Sequence, residues 1–231
     1  MSKKVAVLQS NYIPWKGYFD LINMVDEFVL FDDVQYTRRD WRNRNKIKTH
    51  NGLTWLSVPV EVKGKFFQPI KETIVSEPAW NIKHWKTIVH NYAQAEYFKD
   101  YRELFGTLYL SLTETYLSQI NYRFIQVICS VLGITTKLSW SMDYDIVDGK
   151  TERLVDLCRQ ANATEYISGP SAKYYIDEKL FYQAGITLQY IDYDDYPEYD
   201  QLFPPFEHQV SILDLIFNVG PNAPRYMKSF D

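Results

Sequence analysis

Short apolar runs and helical patterns alternate at the start of the chain. The run KVAVLQ, residues 4–9, is apolar and too short for a helix, which predicts a buried strand. Residues 17–26 repeat apolar side chains at three- and four-residue spacing, which predicts a helix, and EFVLFDD at 27–33 predicts a second short strand. A β–loop–helix–β order indicates the start of a parallel α/β sheet.

The middle of the chain changes pattern twice. Residues 45–60 predict a β-hairpin with Asn51-Gly52 as its turn, and a weaker strand is expected over 68–75. From 80 to 132 the apolar residues recur at helical spacing, and Gly133 follows as a C-terminal cap. These positions predict a helical subregion that is inserted in the sheet or packed beside it.

The last hundred residues return to alternating strands and helices. Strands are predicted over 135–142, 164–169 and 186–193, and helices over 151–162, 173–185 and 211–220. The fold class is therefore α/β: a parallel-type sheet with flanking helices, a β-hairpin elaboration and a helical subregion at about 80–132. With no linker, repeat or low-complexity run, residues 1–231 are interpreted as a single domain.

Composition excludes several classes of function. The formal charge of −4 gives no global electrostatic argument for binding nucleic acid or an anionic membrane. No stretch approaches the roughly 20 apolar residues of a membrane span, and no secretory leader is visible. The two cysteines, Cys129 and Cys158, lie in apolar patterns and fit a reducing compartment. We expect a soluble, cytoplasmic protein.

Aromatic residues are abundant, and 19 of them are tyrosines. Tyrosine suits polar, ring-shaped ligands because it offers a ring face together with a hydroxyl group. Residues 192–199 are both acidic and tyrosine-rich, which is typical of a polar loop and also fits a surface that faces carbohydrate.

The loop after the first strand is the first candidate binding segment. Ligands of parallel sheets gather at the carboxyl ends of strands, and the backbone N–H groups that open a helix there favour anions. A packed corner is the alternative, because Pro14 and Gly17 suit a strand-to-helix reversal. The candidate substrate-binding residues here are Gln9, Asn11, Tyr12, Trp15, Gly17 and Tyr18.

A second candidate segment follows the second strand. Adjacent acids can hold Mg²⁺, grip sugar hydroxyls or accept a proton, and closely spaced arginines can clamp a diphosphate. A solvated charged loop is the alternative. The candidates are Asp32 and Asp33 as catalytic residues, and Gln35, Arg42, Asn43, Arg44 and Asn45 as substrate-binding residues.

A third segment and one histidine complete the candidate site. Ser168, Gly169, Ser171 and Lys173 follow a predicted strand and suit an anion or a sugar, although a Ser-capped helix would use the same residues. His84 is a candidate catalytic base, with a packed histidine as the alternative. No histidine pair has zinc-ligand spacing, so no metal ligand is assigned, and the P-loop and nucleophile-elbow patterns are absent.

Taken together, these segments resemble the WbqC-like protein family over about residues 5–220. The segments that carry the resemblance are QSNYIPWKGYF (9–19), DDVQY (32–36), WRNRN (41–45), WLSVP (55–59), Trp80 with His84, YISG (166–169) and SILDLIFNVG (211–220). Position 10 is Ser here, where the family often has Pro.

The resemblance implies a role in bacterial O-antigen, lipopolysaccharide or related surface-glycan biosynthesis. It implies a nucleotide-linked amino sugar as the partner molecule and N-acyl or aminoacyl transfer to the sugar amine as the reaction. Such a transferase must stabilise an oxyanion, for which Asn11, Asn43 and Ser168 are candidates. It must also remove a proton, for which His84 or the acid pair at 32–33 is the candidate.

Two alternatives stay open. Residues 15–18 occupy the place where nucleotidylyltransferase-like proteins carry His-x-Gly-His, although both histidines are missing. An ATP-using ligase or nucleotidylyltransferase-like enzyme is thus one alternative, and a non-catalytic nucleotide-sugar or glycan binding module is the other. The co-reactant is left as an acyl thioester donor or ATP, and the oligomeric state is left open.

Overall fold

Five parallel strands form the central sheet of the protein. The structure, a computed structural model, describes residues 2–230. The strands are β1 Lys4–Leu8, β2 Glu27–Leu30, β5 Lys137–Trp140, β6 Glu165–Ser168 and β7 Thr187–Tyr190. They stand in the order β5-β2-β1-β6-β7, and each neighbouring pair is parallel. The α/β class predicted from the sequence is confirmed.

Strand β1 is the centre of the sheet and explains its apolar sequence. Val5 and Ala6 are fully buried because helices cover both faces, so the strand has no alternation of polar and apolar residues. Helix α1, Lys16–Asn23, connects β1 to β2 as the helical spacing predicts. The β–loop–helix–β start is therefore confirmed.

The hairpin is present, but its turn lies one residue earlier than predicted. Strands β3 (Arg44–Thr49) and β4 (Gly52–Ser57) are antiparallel, and Thr49 pairs with Gly52. The turn residues are therefore His50 and Asn51. Gly52 instead opens β4 with φ of +96°, a conformation that glycine adopts without strain.

The weak strand predicted over 68–75 is wrong. Ile70–Glu72 form a short 3₁₀ turn, and the surrounding residues make only isolated bridges, with three different partner segments. Pro69 lacks the N–H group that a ladder needs, and buried Ile70 anchors the turn instead of alternating along a strand.

Three helices form the predicted helical region. They are α2 (Trp80–Tyr92), α3 (Phe98–Leu110) and α4 (Leu117–Leu132). Gly133 follows α4 in the left-handed conformation with φ of +74°, and its N–H donates to carbonyls of the last turn. The predicted glycine cap is confirmed.

The C-terminal elements are α5 (Glu152–Gln160), α6 (Glu178–Gln183) and α7 (Ile212–Val219). Helix α6 is shorter than the helix predicted over 173–185, since the Asp177 side chain accepts from the Lys179 N–H at 3.0 Å and caps the helix there. Residues Pro170–Tyr174 form a separate 3₁₀ turn.

The strand order creates a switch point beside β1. From β1 the chain goes to β2 on one side, whereas β6 pairs with β1 on the other side. Loops that leave adjacent strands in opposite directions open a crevice at the carboxyl end of the sheet. The fold therefore leaves a crevice between the ends of β1 and β6.

Candidate functional site

The loop after β1 sends its side chains to two different sides. Ser10 and Tyr12 are completely buried, whereas Asn11 and Trp15 line an open cavity. The packed-corner interpretation therefore describes the inward residues, and the binding-site interpretation stays a prediction for the outward ones.

Ile13 gives the loop its sharp reversal. Its φ of +38° is strained for a β-branched residue. The Asn45 side-chain amide donates to the Ile13 carbonyl at 2.9 Å, and the Ile212 N–H donates to the Pro14 carbonyl at 2.9 Å. Contacts from the hairpin and from α7 thus hold the conformation that separates inward from outward side chains.

A cavity of about 860 Å³ occupies the crevice between β1 and β6. Its volume suits a ligand of cofactor or nucleotide-sugar size. Its walls come from the loop after β1, the hairpin region, the turn after β6 and the segment after β7. The lining residues are Asn11, Pro14, Trp15, Trp41, Asn45, Ser171, Tyr193, Asp194, Asp195, Tyr196, Glu198, His208 and Gln209.

Aromatic rings build one wall of the cavity. The Trp15 indole stands edge-on to Tyr193 and Tyr196, with ring centroids 5.0 and 5.5 Å apart. A Cβ atom on Gly17 would overlap the Trp15 ring. Gly17 therefore allows the indole to lie against α1, which is a packing role.

A second, acidic wall comes largely from the same segment that carries Tyr193 and Tyr196. Asp194, Asp195 and Glu198 bring three carboxylates, and Asn45 and Gln209 bring amides. Aromatic faces beside hydrogen-bonding side chains suit the apolar faces and hydroxyl groups of a sugar. The carboxylates also suit a sugar that carries an amino group.

His208 is the histidine that lines the cavity. Burial, followed by the nearby Lys16 ammonium, lowers its pKa from 6.5, so the imidazole is neutral at pH 7. Its Nδ1 atom is buried and has no hydrogen-bond partner among residues 2–230. The described residues therefore leave this nitrogen unpaired, while the ring itself lies against the cavity.

Lys16 and Asp20 of α1 hold the segment 192–199 in place. The Lys16 ammonium donates to the Pro197 carbonyl at 2.9 Å and lies 4.8 Å from the centroid of the Tyr196 ring. Burial lowers the pKa of Lys16 to about 8. The Tyr196 hydroxyl donates to Asp20 at 2.6 Å. The acidic wall is thus fastened to the helix that follows β1.

Asp32 belongs to a closed network on the β2 side of β1. It accepts a hydrogen bond from the Ser10 N–H at 2.8 Å and another from the Ser118 hydroxyl. The Asn121 amide donates to the Ser10 hydroxyl oxygen at 3.0 Å. Asp32 is fully buried, and burial raises the pKa of its carboxyl group.

Asp33 lies apart from Asp32 although it is adjacent in sequence. It forms an ion pair with Lys71 and accepts from the Ser141 hydroxyl. Neither acid is among the residues that line the cavity.

His84 lies behind the loop, in the interior. Its Nδ1 is 2.9 Å from the Tyr12 hydroxyl, which is itself 2.8 Å from the Tyr109 hydroxyl. Burial lowers the pKa of His84 to about 4, so the ring is neutral at pH 7.

The arginines do not converge on one point. Arg42 donates to the Gln9 side chain at 3.3 Å and lies 3.6 Å from the Asp40 carboxylate. Arg44 lies over the Trp55 ring at 4.0 Å from its centroid. The arginine clamp for a diphosphate stays a prediction.

Other candidate residues have packing contacts in the structure. The Tyr18 hydroxyl donates to the Gln9 carbonyl at 3.0 Å, and the Asn43 amide donates to the Val58 carbonyl at 2.8 Å. Gln35 is exposed, and its amide donates to the Phe66 carbonyl at 2.7 Å.

The third segment is only partly at the cavity. Ser171 lines it, whereas the Ser168 carbonyl accepts from the Ile191 N–H at 2.9 Å and joins β6 to the end of β7. Gly169 has open space where a Cβ would lie, and the Lys173 ammonium is 5.1 Å from the centroid of the Tyr190 ring.

Several lining residues were not among the candidates predicted from the sequence. They are Pro14, Trp41, Tyr193, Asp194, Asp195, Tyr196, Glu198, His208 and Gln209. The signal for five of them was the acidic, tyrosine-rich segment 192–199, which follows β7 at the carboxyl edge of the sheet. His208 and Gln209 carried no local signal.

No group of three or more His, Cys, Asp or Glu side chains among the described residues is arranged to hold a metal ion. None of the helices within residues 2–230 is both long enough and apolar enough to cross a membrane.

The fold and the cavity define a parallel α/β protein with a ligand crevice at a topological switch point. The model of the WbqC-like protein family matches residues 9–226, and the chain belongs to this family. The chain is 54% identical over 226 residues to "Uncharacterized protein Rv1507c" of Mycobacterium tuberculosis (strain ATCC 25618 / H37Rv), and the match covers 98% of each chain. No solved structure matches the chain at a significant level.

Proposed function

We propose that this protein binds a nucleotide-linked amino sugar in the cavity and transfers an acyl or aminoacyl group to the sugar amine, for surface polysaccharide biosynthesis. The observation that carries the proposal is the cavity itself, where aromatic rings, three carboxylates and amide side chains line one space at the switch point of a parallel sheet. The family resemblance supplies the substrate class.

The sugar end of the substrate would lie between the two walls. Trp15 and Tyr193 would pack against the apolar face of the ring, and Asp194 and Asp195 would accept hydrogen bonds from its hydroxyl and amino groups. A bound amine would then be held in a fixed position beside the mouth of the cavity, where an acyl thioester could approach.

We assign His208 as the base that accepts the proton of the sugar amine. In the transfer, the amine nitrogen bonds to the acyl carbon, the bond from carbon to the thioester sulfur breaks, and the amine loses a proton. The imidazole of His208 lines the cavity and is neutral at pH 7, which suits the acceptance of that proton. A catalytic role for His84 or Asp32 stays a prediction, since each is bound in an internal network.

Mass spectrometry tests the proposal. The protein is incubated with uridine- or thymidine-diphosphate amino sugars and acyl thioesters, and we expect the sugar to gain the mass of the acyl group. His208→Gln should lower kcat about a hundredfold, in the range that general bases contribute, with KM little changed. Product formation at the wild-type rate by His208→Gln would contradict the assignment of the base.

A non-catalytic binding module is the second candidate function. It is favoured by the engagement of Asp32, Asp33 and His84 in internal contacts. Tight binding of a nucleotide amino sugar without product from any acyl donor would support it. Release of AMP or pyrophosphate during turnover would instead indicate the ATP-using alternative.

A further inference from the structure

Two half-exposed tryptophans and two cations form a surface beside the cavity. Trp41 and Trp55 lie with ring centroids 5.5 Å apart and ring planes tilted by 39°. The Lys46 ammonium is 5.3 Å from the Trp55 centroid and 5.9 Å from the Trp41 centroid. We call Trp41, Arg44, Lys46 and Trp55 the hairpin platform.

The hairpin fixes the geometry of this platform. Lys46 of β3 stands directly opposite Trp55 of β4 in the register, and Arg44 is two residues before Lys46 on the same strand. The Lys46 carbonyl accepts from the Ser211 N–H at 2.8 Å, which ties β3 to the start of α7. The side chains are therefore displayed from a braced strand pair.

The charges on the platform are not neutralised by the protein. In the described part of the chain neither Lys46 nor Arg44 forms an ion pair with a carboxylate, whereas Arg42 is paired with Asp40. Both tryptophans also keep more than a third of their surface exposed, at 38% and 42%. Exposed indoles beside unpaired cations suit a ligand that is both an aromatic ring and an anion.

The platform is continuous with the cavity, because Trp41 belongs to both and Asn45 of the cavity lies between Arg44 and Lys46. We propose that the hairpin platform binds the nucleoside diphosphate end of the substrate, with the base packed against the exposed ring surface of Trp41 and Trp55 that Arg44 leaves open, and with the diphosphate beside Lys46. This proposal rests on the proposed function and moves the phosphate contacts from Arg42 to Lys46.

Calorimetry with free uridine diphosphate and with inorganic pyrophosphate tests the platform. Stacking on an aromatic side chain contributes about 1–3 kcal/mol per base, so Trp55→Ala should weaken uridine diphosphate binding by about fivefold to a hundredfold. Pyrophosphate binding should not change in Trp55→Ala, since pyrophosphate has no base. Lys46→Ala should weaken both ligands, and Trp55→Phe should retain most of the affinity for uridine diphosphate.

Leu53→Ala is the matched control, since Leu53 is exposed on the same strand and is outside both the platform and the cavity. It should bind uridine diphosphate like the wild type. Failure of the wild type to bind uridine diphosphate, or equal affinity in the wild type and Trp55→Ala, would overturn the proposal. Thermal melting curves of all variants confirm that each one is folded.

The acylation assay separates this proposal from the proposed function. If product forms and the platform variants leave KM for the nucleotide sugar unchanged, the platform proposal fails and the function stands. If uridine diphosphate binding depends on Trp55 and Lys46 while no acyl donor gives product, the platform stands and the transferase function fails.

Discussion

The two sides of the loop after β1 carry similar residue types with different consequences. On the β2 side, Ser10 meets Asp32 in a network that is closed to solvent. On the β6 side, Asn11 lines an open cavity together with Asp194 and Asp195. We call these the closed side and the open side. The carboxylate of Asp32 accepts hydrogen bonds from the protein, whereas the carboxylates of Asp194 and Asp195 are exposed and available to a ligand. The position of these residues at the ends of strands therefore predicts that they are polar. The strand order of the sheet decides whether the protein or a ligand uses their hydrogen-bonding groups.

The closed side should control stability, and Asp32→Ala is the strongest test. Loss of the carboxylate leaves the Ser10 N–H and the Ser118 hydroxyl without their acceptor. At about 2 kcal/mol for each buried donor, we expect the free energy of unfolding to fall by about 4 kcal/mol. Urea denaturation measures this loss. Asp33→Ala is the matched control and should cost about half as much, about 2 kcal/mol, because it removes the acceptor of one buried hydroxyl, that of Ser141, and an ion pair with Lys71 that is partly exposed. Equal losses of unfolding free energy in Asp32→Ala and Asp33→Ala would contradict the larger role of the Asp32 network.

The interior behind Tyr12 should make stability depend on pH. His84 has a folded pKa of about 4 against an ordinary value of 6.5, so the unfolded chain binds the proton more readily. The contribution of the neutral His84 ring to the free energy of unfolding is complete above pH 6.5 and is lost as the pH falls towards 4. The loss amounts to about 3 kcal/mol at 1.4 kcal/mol per pH unit. Urea denaturation of the wild type and His84→Gln across this range isolates the effect, and parallel pH profiles for the two proteins would contradict it.

Gly17→Ala should disturb the boundary between the two sides. The added Cβ overlaps the Trp15 indole, so the ring must move into the cavity or the helix must shift. Overpacking of this kind costs about 2 kcal/mol. We expect a lower melting temperature together with weaker binding of the nucleotide amino sugar. Gly169→Ala is the control, because a Cβ there meets open space. An unchanged ligand affinity in Gly17→Ala would show that Trp15 is not part of the site.

The open side should affect binding and leave stability almost unchanged. Asp195 is exposed, and its φ of +54° is a conformation that Asn also tolerates. Asp195→Asn should weaken binding of the amino sugar nucleotide about fivefold, which corresponds to about 1 kcal/mol. The unfolding free energy should stay within about 0.5 kcal/mol. Asp200→Asn, an exposed control that does not line the cavity, should bind like the wild type in calorimetry.

Much of the fold followed from periodicity in the sequence. Buried parallel strands such as β1 are continuous apolar runs, and α4 has a full helical repeat with a glycine cap, so local pattern was sufficient. The sequence pattern predicted a strand wrongly over 68–75, where the chain contains Pro69 and forms isolated bridges with three different segments. The hairpin turn was misplaced by one residue because both His50-Asn51 and Asn51-Gly52 fit a two-residue turn.

The candidate site was harder to predict for a physical reason. The loop after β1 has no regular period, so its sequence does not separate inward Tyr12 from outward Trp15. The segment 192–199 reaches the cavity through contacts with Lys16 and Asp20, which lie far away in the chain. Such tertiary contacts leave no local pattern.

The pairing of β1 with β6 has a consequence for the order of assembly. That pairing joins Lys4 to Glu165, whereas the Asp32 network uses residues from 10 to 121. Contacts between residues distant in sequence form slowly, because a long loop must close first. During synthesis the residues of the Asp32 network are therefore made before β6, whereas the cavity needs residues up to Gln209.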